Sequence, residues 1–431
     1  MEVARDSTIA DGLIDFIDAS PTPYHACSAA SLYLEGAGYR QLAEADPWPA
    51  DGRHYLVRGG TLIAWAAPAE SGADLAFNLV CAHTDSPNLR IRPQPDLESV
   101  GYRQLRVETY GGLLLNSWLD RDLGLAGRVA VLGGDGPELR LLRVDRPLLR
   151  IPQLAPHLDA ALRSEGLRLN RQTQMTPIWG LEQPGAADFP AFLAAELALE
   201  PEQVLSWDVM AHDLTPSART GVGREFVSAP RLDNLGSTYS ATAAMAEYSR
   251  GELAPDRVSV ICLFDHEEVG SRTSSGAESS LLPRVLERMI LARGGGRDEF
   301  LRTLARSTAI SADMAHAVNP NYQDHYEPGH LVHLNQGPAI KVQAGQKYAT
   351  EALGAARFAA ACRDSGIPFQ RYAARGDVPC GSTLGPITAS NLGVETIDVG
   401  MPVLAMHSIR ELGGAEDPAY LVHALVAMLR A

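Results

Sequence analysis

The sequence has few cysteines and no long apolar run, and each absence excludes a class of protein. Its five cysteines are scattered, odd in number and free of a C-x-x-C zinc pattern, which suits a reducing compartment. No apolar stretch approaches the ~18 residues that a membrane span needs. The first residues, MEVARDSTIADG, lack the basic-then-apolar pattern of a secretory signal. We therefore expect a cytoplasmic protein without a membrane span.

Basic residues are in the minority. The chain has 37 Lys and Arg against 52 Asp and Glu, a net charge of −15. Because phosphate backbones are bound by basic stripes, this charge argues against a nucleic-acid partner. The glycine-rich stretch LARGGGRDE, residues 291–299, lacks the G-x-x-x-x-G-K-[ST] pattern of a phosphate-binding loop. The acidic excess makes a metal cation a natural partner.

The pattern of predicted helices and strands along the chain indicates one domain inserted into another. Its 431 residues are too many for one small domain. Helical patterns alternate with apolar strand patterns up to about residue 90 and again from about residue 228, which predicts an α/β domain with a mixed central sheet flanked by helices. Residues 91–227 contain short β-rich pieces separated by GG, DG and RP turns. We expect residues 1–90 and 228–431 to form the α/β domain, and residues 91–227 an inserted β-rich, barrel-like domain.

Four ionisable residues follow the apolar run VSVICLF in the stretch FDHEEVGS, residues 264–271. The run predicts a buried strand, and the loops at such strand ends gather catalytic groups in α/β proteins. A solvated acidic loop is the alternative. Neighbouring residues of an extended segment point to opposite sides, so Glu267 and Glu268 are expected to have different roles. One can bind a metal while the other acts as a general base, and the spacing does not decide which.

Other apolar segments also end in residues that can bind a metal. These residues are His83, Asp313 and His407. A further candidate ligand, Asp233, comes just before a predicted helix. Taken singly, each has a structural explanation, such as a buried histidine or a helix N-cap. Asp85 lies two residues after His83, so both side chains of an extended strand point the same way and Asp85 can orient the imidazole. Together with Glu268, these residues give two imidazoles and three carboxylates, a set that favours zinc, with manganese or cobalt as alternatives.

These motifs occur together and in a fixed order. HTDSPN, RLDNL, DHEEVGS, SADMAHAVNPNY, GPAIKVQAGQKYAT and MHSIRE, with the early SPTPYHA, resemble the aspartyl aminopeptidases, family eighteen of the metallopeptidases. The similarity spans nearly the whole chain. It implies a zinc-aminopeptidase-like catalytic domain, an inserted dimerisation domain and two zinc ions per subunit. The implied roles are one zinc on His83 and Asp313, a second on Glu268 and His407, Asp233 as the bridge, Glu267 as general base on a bridging water, and Asp85 as the residue that orients His83.

The resemblance also implies a substrate pocket. Lys341, which would otherwise be most simply a surface lysine, would pair with an acidic N-terminal side chain of the substrate. Tyr348 would line the same pocket, together with Gly381 and Ser382 of the PCGST stretch. The sequence therefore predicts removal of N-terminal residues, preferentially Asp and Glu, from peptides.

Assembly is implied as well. The resemblance suggests inserts that pair into dimers, and a dodecamer built from dimers. His157, otherwise a solvated loop residue, would reach the active site of a neighbouring subunit or serve as an auxiliary zinc ligand. Gln153 and Val342 stand where the eukaryotic pattern has His, which bears on how strict the aspartate preference is.

Other functions compete with this one. A dinuclear zinc carboxypeptidase or an N-acyl-amino-acid deacylase would share the architecture, and a free against an acetylated N-terminus separates these from an aminopeptidase. A glycosidase with two carboxylates would be insensitive to metal chelation. A non-catalytic scaffold is disfavoured, because every metal position holds a residue that can bind one.

Overall fold

A computed structural model describes residues 7–69, 72 and 74–431. These residues form two compact units. The first unit contains the described residues up to Asp85, together with Ser217–Met406 and Glu411–Ala431. The second contains Ser86–Pro216 and the short segment His407–Arg410. Within the described ranges, none of the helices has the length and apolar character that crossing a membrane requires.

The helices and strands follow one another along the whole chain. The α-helices are α1 Ser7–Ala19, α2 Pro23–Gly36, α3 Leu162–Glu165, α4 Phe189–Leu197, α5 Leu232–Arg250, α6 Leu281–Ala292, α7 Arg297–Leu304, α8 Ala352–Asp364, α9 Leu384–Leu392 and α10 Asp417–Arg430. Short 3₁₀ helices cover Leu115–Trp118, Pro201–Gln203, Glu267–Val269 and Gln323–His325. The strands are β1 Arg40–Gln41, β2 Gly52–Arg58, β3 Thr61–Ala67, β4 Ala76–His83, β5 Asn88–Ser99, β6 Tyr102–Tyr110, β7 Leu123–Gly133, β8 Gly136–Leu149, β9 Ile178–Leu181, β10 Val204–Asp213, β11 Ala218–Thr220, β12 Phe226–Ala229, β13 Arg257–Phe264, β14 Thr308–Ala312, β15 Ala315–His316, β16 Ala339–Val342, β17 Gln370–Ala373, β18 Glu395–Gly400, β19 Pro402–Leu404 and β20 Glu411–Gly414.

The first unit is built on a nine-stranded mixed sheet of order β1-β2-β3-β13-β4-β14-β18-β16-β17. Its central strands β13, β4, β14 and β18 are parallel, so their carboxyl ends lie at one edge of the sheet. Strand β3 pairs antiparallel with β13, and β16 pairs antiparallel with β18. A smaller five-stranded sheet of order β11-β12-β20-β19-β15 completes the unit. The expected mixed α/β architecture is confirmed.

Strand alternation places apolar side chains on both faces of the central sheet. In β4, Val80 and Ala82 belong to one apolar core, and Leu79 and Cys81 belong to the other. Successive strand residues point to opposite faces, so a strand buried on both sides must be apolar throughout. This explains the nearly continuous apolar runs in the sequence, which only single polar residues such as Asn78 and Ser259 interrupt in β4 and β13. The polar residues that follow these runs come directly at the carboxyl ends of the strands.

The second unit contains a six-stranded antiparallel sheet of order β8-β7-β10-β5-β6-β9. Arg150, which follows edge strand β8, forms an isolated bridge with Ile178 of the other edge strand, β9, through backbone hydrogen bonds of 3.0 and 2.8 Å. Among the described residues, these edges share no continuous ladder, so the barrel-like expectation corresponds to an open sheet and not to a closed barrel. The unit has its own apolar core, with Leu89, Leu125 and Val129 fully buried.

Candidate active site

Three adjacent parallel strands bring the predicted residues of the first unit together. His83 is the last residue of β4, Glu267 and Glu268 follow β13 by three and four residues, and Asp313 follows β14 directly. Because these strands are neighbours in the sheet, their carboxyl ends converge on one place. Asp233 joins them from the first turn of α5, where its backbone and that of Asn234 depart from helical angles.

One group of donor atoms lies around the His83 imidazole. His83 Nε2 is 3.5 Å from Asp233 Oδ1 and 3.7 Å from Asp313 Oδ1. The three residues are buried, and each offers a ligand atom within 4.8 Å of the others. One imidazole and two carboxylates at this spacing fit a divalent ion such as zinc, which accepts nitrogen and oxygen ligands.

Asp233 also belongs to a second donor pair. Asp233 and Glu268 each offer a carboxylate oxygen, and these atoms lie within 4.8 Å of one another. Within the first unit, Asp233 is thus the residue shared between two groups of potential ligands, as a bridging carboxylate must be. Its backbone N–H donates to Glu411 Oε2 at 2.9 Å, which fixes the turn that presents the carboxylate.

Burial and charge crowding shift the pKa values of two groups in the site. Burial raises the pKa of Glu267 well above its usual value; the positive charge of His83 opposes this, while the Asp313 carboxylate adds to it. Burial lowers the pKa of His83, but hydrogen bonds that the surrounding carboxylates accept from its ring, that of Asp233 foremost, outweigh this and raise the pKa well above the usual value. The shift of His83 expresses a local excess of negative charge, which a bound cation would neutralise, whereas the shift of Glu267 comes mainly from its burial.

Asp85 contacts both the histidine and the glutamate pair. His83 Nδ1 lies 3.0 Å from the Asp85 backbone carbonyl and 3.4 Å from its carboxylate Oδ1. The two carboxylate oxygens accept the backbone N–H groups of Glu267 and Glu268, each at 3.1 Å. The structure thus adds to the predicted orienting role a second one, since the same side chain holds the turn that carries both glutamates.

The glutamate pair does not lie in an extended segment as the sequence suggested. Residues Glu267–Val269 form a 3₁₀ turn after His266, whose φ is +66°. The extended-strand premise was therefore wrong, because the polar residues after Phe264 leave the sheet. Successive residues of a 3₁₀ helix still point about 120° apart, so the two side chains diverge. Glu267 Oε2 lies 4.0 Å from His83 Nε2, and Glu267 is absent from the ligand groups formed by the described residues.

Lys341 lies inside the first unit and not on its surface. Its side chain is 1% exposed, and its Nζ donates to the carbonyls of Asp313 at 2.9 Å and Met314 at 3.2 Å. The same Nζ is 3.6 Å from Asp313 Oδ2 and 5.1 Å from the centre of the Tyr348 ring. Gly381 and Ser382 lie in an exposed loop, with the Ser382 hydroxyl 3.4 Å from the Lys347 carbonyl. The Lys341 ammonium group therefore lies close both to Asp313, a predicted metal ligand, and to the Tyr348 ring, a predicted part of the substrate pocket.

Two predicted residues belong to the second unit. His407 has a φ of +67°, and its Nδ1 donates to the Gly112 carbonyl at 3.0 Å, which makes Nε2 the nitrogen suited to bind a metal. Three residues later, Arg410 donates to the carbonyls of Thr215 at 2.7 Å and Pro216 at 3.0 Å. His157 lies in an exposed turn of this unit.

Sequence reasoning missed two buried carboxylates. Glu411 is 2% exposed and holds the Asp233 turn. It lies in the MHSIRE motif, so that motif was the signal that could have revealed it. Asp398 is completely buried in β18, beside the segment that contains Tyr348. An isolated acidic residue within an apolar strand carries no recognisable motif.

Comparison with known proteins identifies the family of the chain. A family model described as Aminopeptidase I zinc metalloprotease (M18) matches residues 16–428. A curated relative from Streptomyces coelicolor, named Probable M18 family aminopeptidase 2, is 48% identical over 422 residues, 97% of each chain. A relative of the same name from Mycobacterium tuberculosis is 47% identical over 427 residues, 98% of each chain.

Solved structures show the same fold over the full length. A structure described as the Ape4 and Nbr1 complex matches with a TM-score of 0.94 and 35% identity, covering 100% of this chain and 86% of that one. The structure of the S. cerevisiae mApe1 dodecamer matches with a TM-score of 0.85 and 28% identity, covering 98% of this chain and 96% of that one. A family model that spans nearly the whole chain and relatives at almost half identity place it in a family of peptidases: the chain belongs to the M18 family of zinc aminopeptidases.

Proposed function

We propose that this protein is a two-zinc aminopeptidase that removes N-terminal residues, preferentially Asp and Glu, from peptides in the cytoplasm. The observation that carries the proposal is the convergence of His83, Asp233 and Asp313 within 4.8 Å, with Glu267 beside them. One zinc would be held by His83 and Asp313 and a second by Glu268, with Asp233 shared. His407 is assigned to the second ion by the family resemblance. Manganese or cobalt could substitute, since the donors are imidazoles and carboxylates.

The bound ions would act as Lewis acids on the scissile carbonyl and lower the pKa of a bound water. The residues of the chain supply the rest of the reaction. Glu267 takes the proton of the attacking water at its carboxylate and passes it to the leaving amine. Burial favours this role, because a raised pKa brings the carboxyl group closer to the pH at which it must both accept and donate a proton. The free amine of the substrate is held by carboxylates of the site.

Asp85 acts as a positioning residue in this proposal. Its carbonyl orients the His83 ring, and its carboxylate fixes the backbone of the two glutamates at 3.1 Å each. A single residue thus sets the distance between the base, Glu267, and the ligand, His83. Catalytic groups need this precision, because small displacements from productive geometry cost large factors in rate.

The acidic preference is proposed from the charge of Lys341. An acidic substrate side chain that enters a partly desolvated pocket must meet a positive charge, because an unpaired buried charge costs several kcal/mol. Lys341 supplies a buried cation next to Tyr348, and Gly381 and Ser382 contribute the loop side of the same pocket.

A substrate panel tests the proposed function. We expect the zinc-loaded protein to cleave Asp- and Glu-anilides faster than the Leu-anilide and to leave the N-acetyl-Asp-anilide intact. Chelation by EDTA should abolish the activity, and added zinc should restore it. Release of acetate from the acetylated substrate, with its anilide bond left intact, would instead identify a deacylase. Activity that survives complete removal of metal would overturn the metallopeptidase assignment altogether.

Assembly into a homo-oligomer is proposed from the second unit and from the dodecamer of the yeast relative. Strand β8 is an edge strand, and its Leu139 and Leu141 side chains are 61% and 48% exposed. Exposed apolar side chains on an edge strand are a common site of association between chains. We propose that inserts pair into dimers, that dimers assemble into a dodecamer, and that His157 acts across a subunit interface.

Light scattering tests this assembly. We expect a mass far above that of a 46.2 kDa monomer, and we expect the double variant Leu139→Asp, Leu141→Asp to reduce it. Leu291→Asp is the matched control, because Leu291 is similarly exposed, at 52%, on α6 of the first unit. An active wild-type monomer would contradict both the proposed assembly and the role of His157.

A further inference from the structure

The carboxylate of Asp398 connects two segments that are distant in the sequence. Asp398 lies in β18 and is 0% exposed. Its Oδ1 accepts a hydrogen bond of 2.6 Å from the Thr383 hydroxyl, and its Oδ2 accepts one of 2.6 Å from the Ala349 backbone N–H. Each oxygen therefore holds a different segment. Hydrogen bonds of this length to a carboxylate are charge-assisted and strong.

Both connected segments flank the proposed substrate pocket. Ala349 follows Tyr348 directly, and Thr383 follows Ser382 directly. Thr383 is also the N-cap of α9, where its side chain accepts from the Gly385 N–H at 3.4 Å. A Cβ at position 385 would lie 2.0 Å from Asp398 Oδ2, so the backbone there packs directly against the carboxylate. The segments on both sides of the pocket thus meet at one buried side chain.

The Asp398 charge is part of the electrostatics of the same region. Burial raises the pKa of Asp398, while the positive charge of Lys341 and the hydrogen bond from Thr383 oppose that shift. Lys341 in turn lies 3.6 Å from Asp313 Oδ2. Lys341, the cation proposed to attract an acidic substrate, therefore has the buried carboxylates of Asp313 and Asp398 near it. Of the two, Asp398 also accepts hydrogen bonds from the two segments that flank the pocket.

We propose that Asp398 is a positioning residue of the substrate pocket: by holding the Tyr348 segment and the Gly381–Thr383 segment at fixed places, it sets the affinity for the N-terminal residue of the substrate. This inference rests on the function proposed above, since it assumes that both segments face the substrate. Asp398 does not contact the reacting atoms. Its loss should therefore change KM much more than kcat.

The substitution Thr383→Val removes one of the two connections together with the side-chain N-cap of α9, and Thr383→Ser keeps both. We expect Thr383→Val to raise KM for the Asp-anilide about tenfold, with kcat changed less than about twofold, because one hydrogen bond to a charged group is lost. Thr383→Ser should retain the wild-type KM. Asp398→Ala, which removes both connections, should have the larger effect. Asp417→Ala is its matched control: Asp417 is another buried carboxylate of this unit and accepts backbone N–H groups, but from Asn335 and Gly337.

Hydrogen exchange decides the structural part of the inference independently of activity. The Ala349 amide, which donates to the Asp398 carboxylate, should exchange faster in Asp398→Ala than in the wild type or in Asp417→Ala. Amides 383–386 should also exchange faster in Asp398→Ala, in which the Thr383 N-cap of α9 is kept. Unchanged exchange would overturn the holding role of Asp398. Faster exchange with an unchanged KM would overturn the assignment of these segments to the pocket. A wild-type protein with zinc bound but no aminopeptidase activity would refute the proposed function, while the exchange comparison would still decide whether Asp398 holds the two segments.

Discussion

We expect the substitution Glu267→Gln to leave the protein folded and loaded with zinc but to lower kcat at least about 100-fold, the range expected when general acid–base catalysis is lost. The amide has nearly the size of the carboxylate, so the 3₁₀ turn held by Asp85 is retained. The amide cannot take a proton from water, however. Glu267 is not among the grouped ligand donors of the described residues, so its replacement should leave zinc content unchanged. Steady-state kinetics and metal analysis of the same preparation measure both results.

The neighbouring variant Glu268→Gln is the matched control. Glu268 shares a donor group with Asp233, so we expect this variant to lose one zinc per chain, together with activity. The two substitutions are chemically identical and adjacent, and both lie in a turn held by Asp85. If Glu267→Gln released zinc while Glu268→Gln kept it, the roles of the two glutamates would be reversed.

Replacing Lys341 by Met should weaken cleavage of Asp- and Glu-peptides most strongly. The expected loss is roughly the 2–5 kcal/mol that accompanies the breaking of a buried charge pair. Neutral substrates such as Leu-peptides should lose less. Some loss should be common to all substrates, because Lys341 Nζ also donates to the carbonyls of Asp313 and Met314. The acidic preference is therefore measured by the difference between substrates.

The measurement is kcat/KM for Asp-, Glu- and Leu-anilides in both proteins, with zinc content determined in parallel. An equal fall for all three substrates, with zinc retained, would show that Lys341 supports the site generally and that the acidic preference has another cause. Loss of zinc would show that its main role is to hold Asp313. Lys341→Arg is a useful companion variant, because it keeps the charge but not the shape of the ammonium group.

The strand ends could be predicted because the pattern that marks them, an apolar run followed by polar residues, is local in the sequence. VSVICLF and LAFNLVCAH are mostly apolar, with Ser259 and Asn78 as the interior exceptions, because β13 and β4 are buried on both faces. His83 and Asp313 could therefore be placed at strand ends from the sequence. Their convergence depends on the order β13-β4-β14, which pairs segments that are distant along the chain. Such non-local pairing leaves no local pattern in the sequence, so the convergence of these residues was predicted only from the family resemblance.

The environment of individual side chains was not predictable. Lys341 was expected to be a surface residue when considered alone, yet it is 1% exposed, because carbonyls of Asp313 and Met314 satisfy its ammonium group. The 3₁₀ turn at Glu267 depends on Asp85, whose carboxylate comes from another strand end. The role of Asp398 was not predictable for the same reason, since its hydrogen-bond partners Thr383 and Ala349 are 15 and 49 residues away in the sequence. Burial of a charge becomes visible only when the tertiary partners are known.

The most direct test of the central claim is anomalous diffraction at the zinc edge from crystals of the zinc-loaded protein. The proposed two-zinc site predicts a pair of peaks about 3.5–4 Å apart, the separation found in two-metal hydrolases. One peak should lie against His83 and Asp313, the other against Glu268, with Asp233 between them. A single peak, or zinc bound away from Asp233, would contradict the proposed two-zinc mechanism.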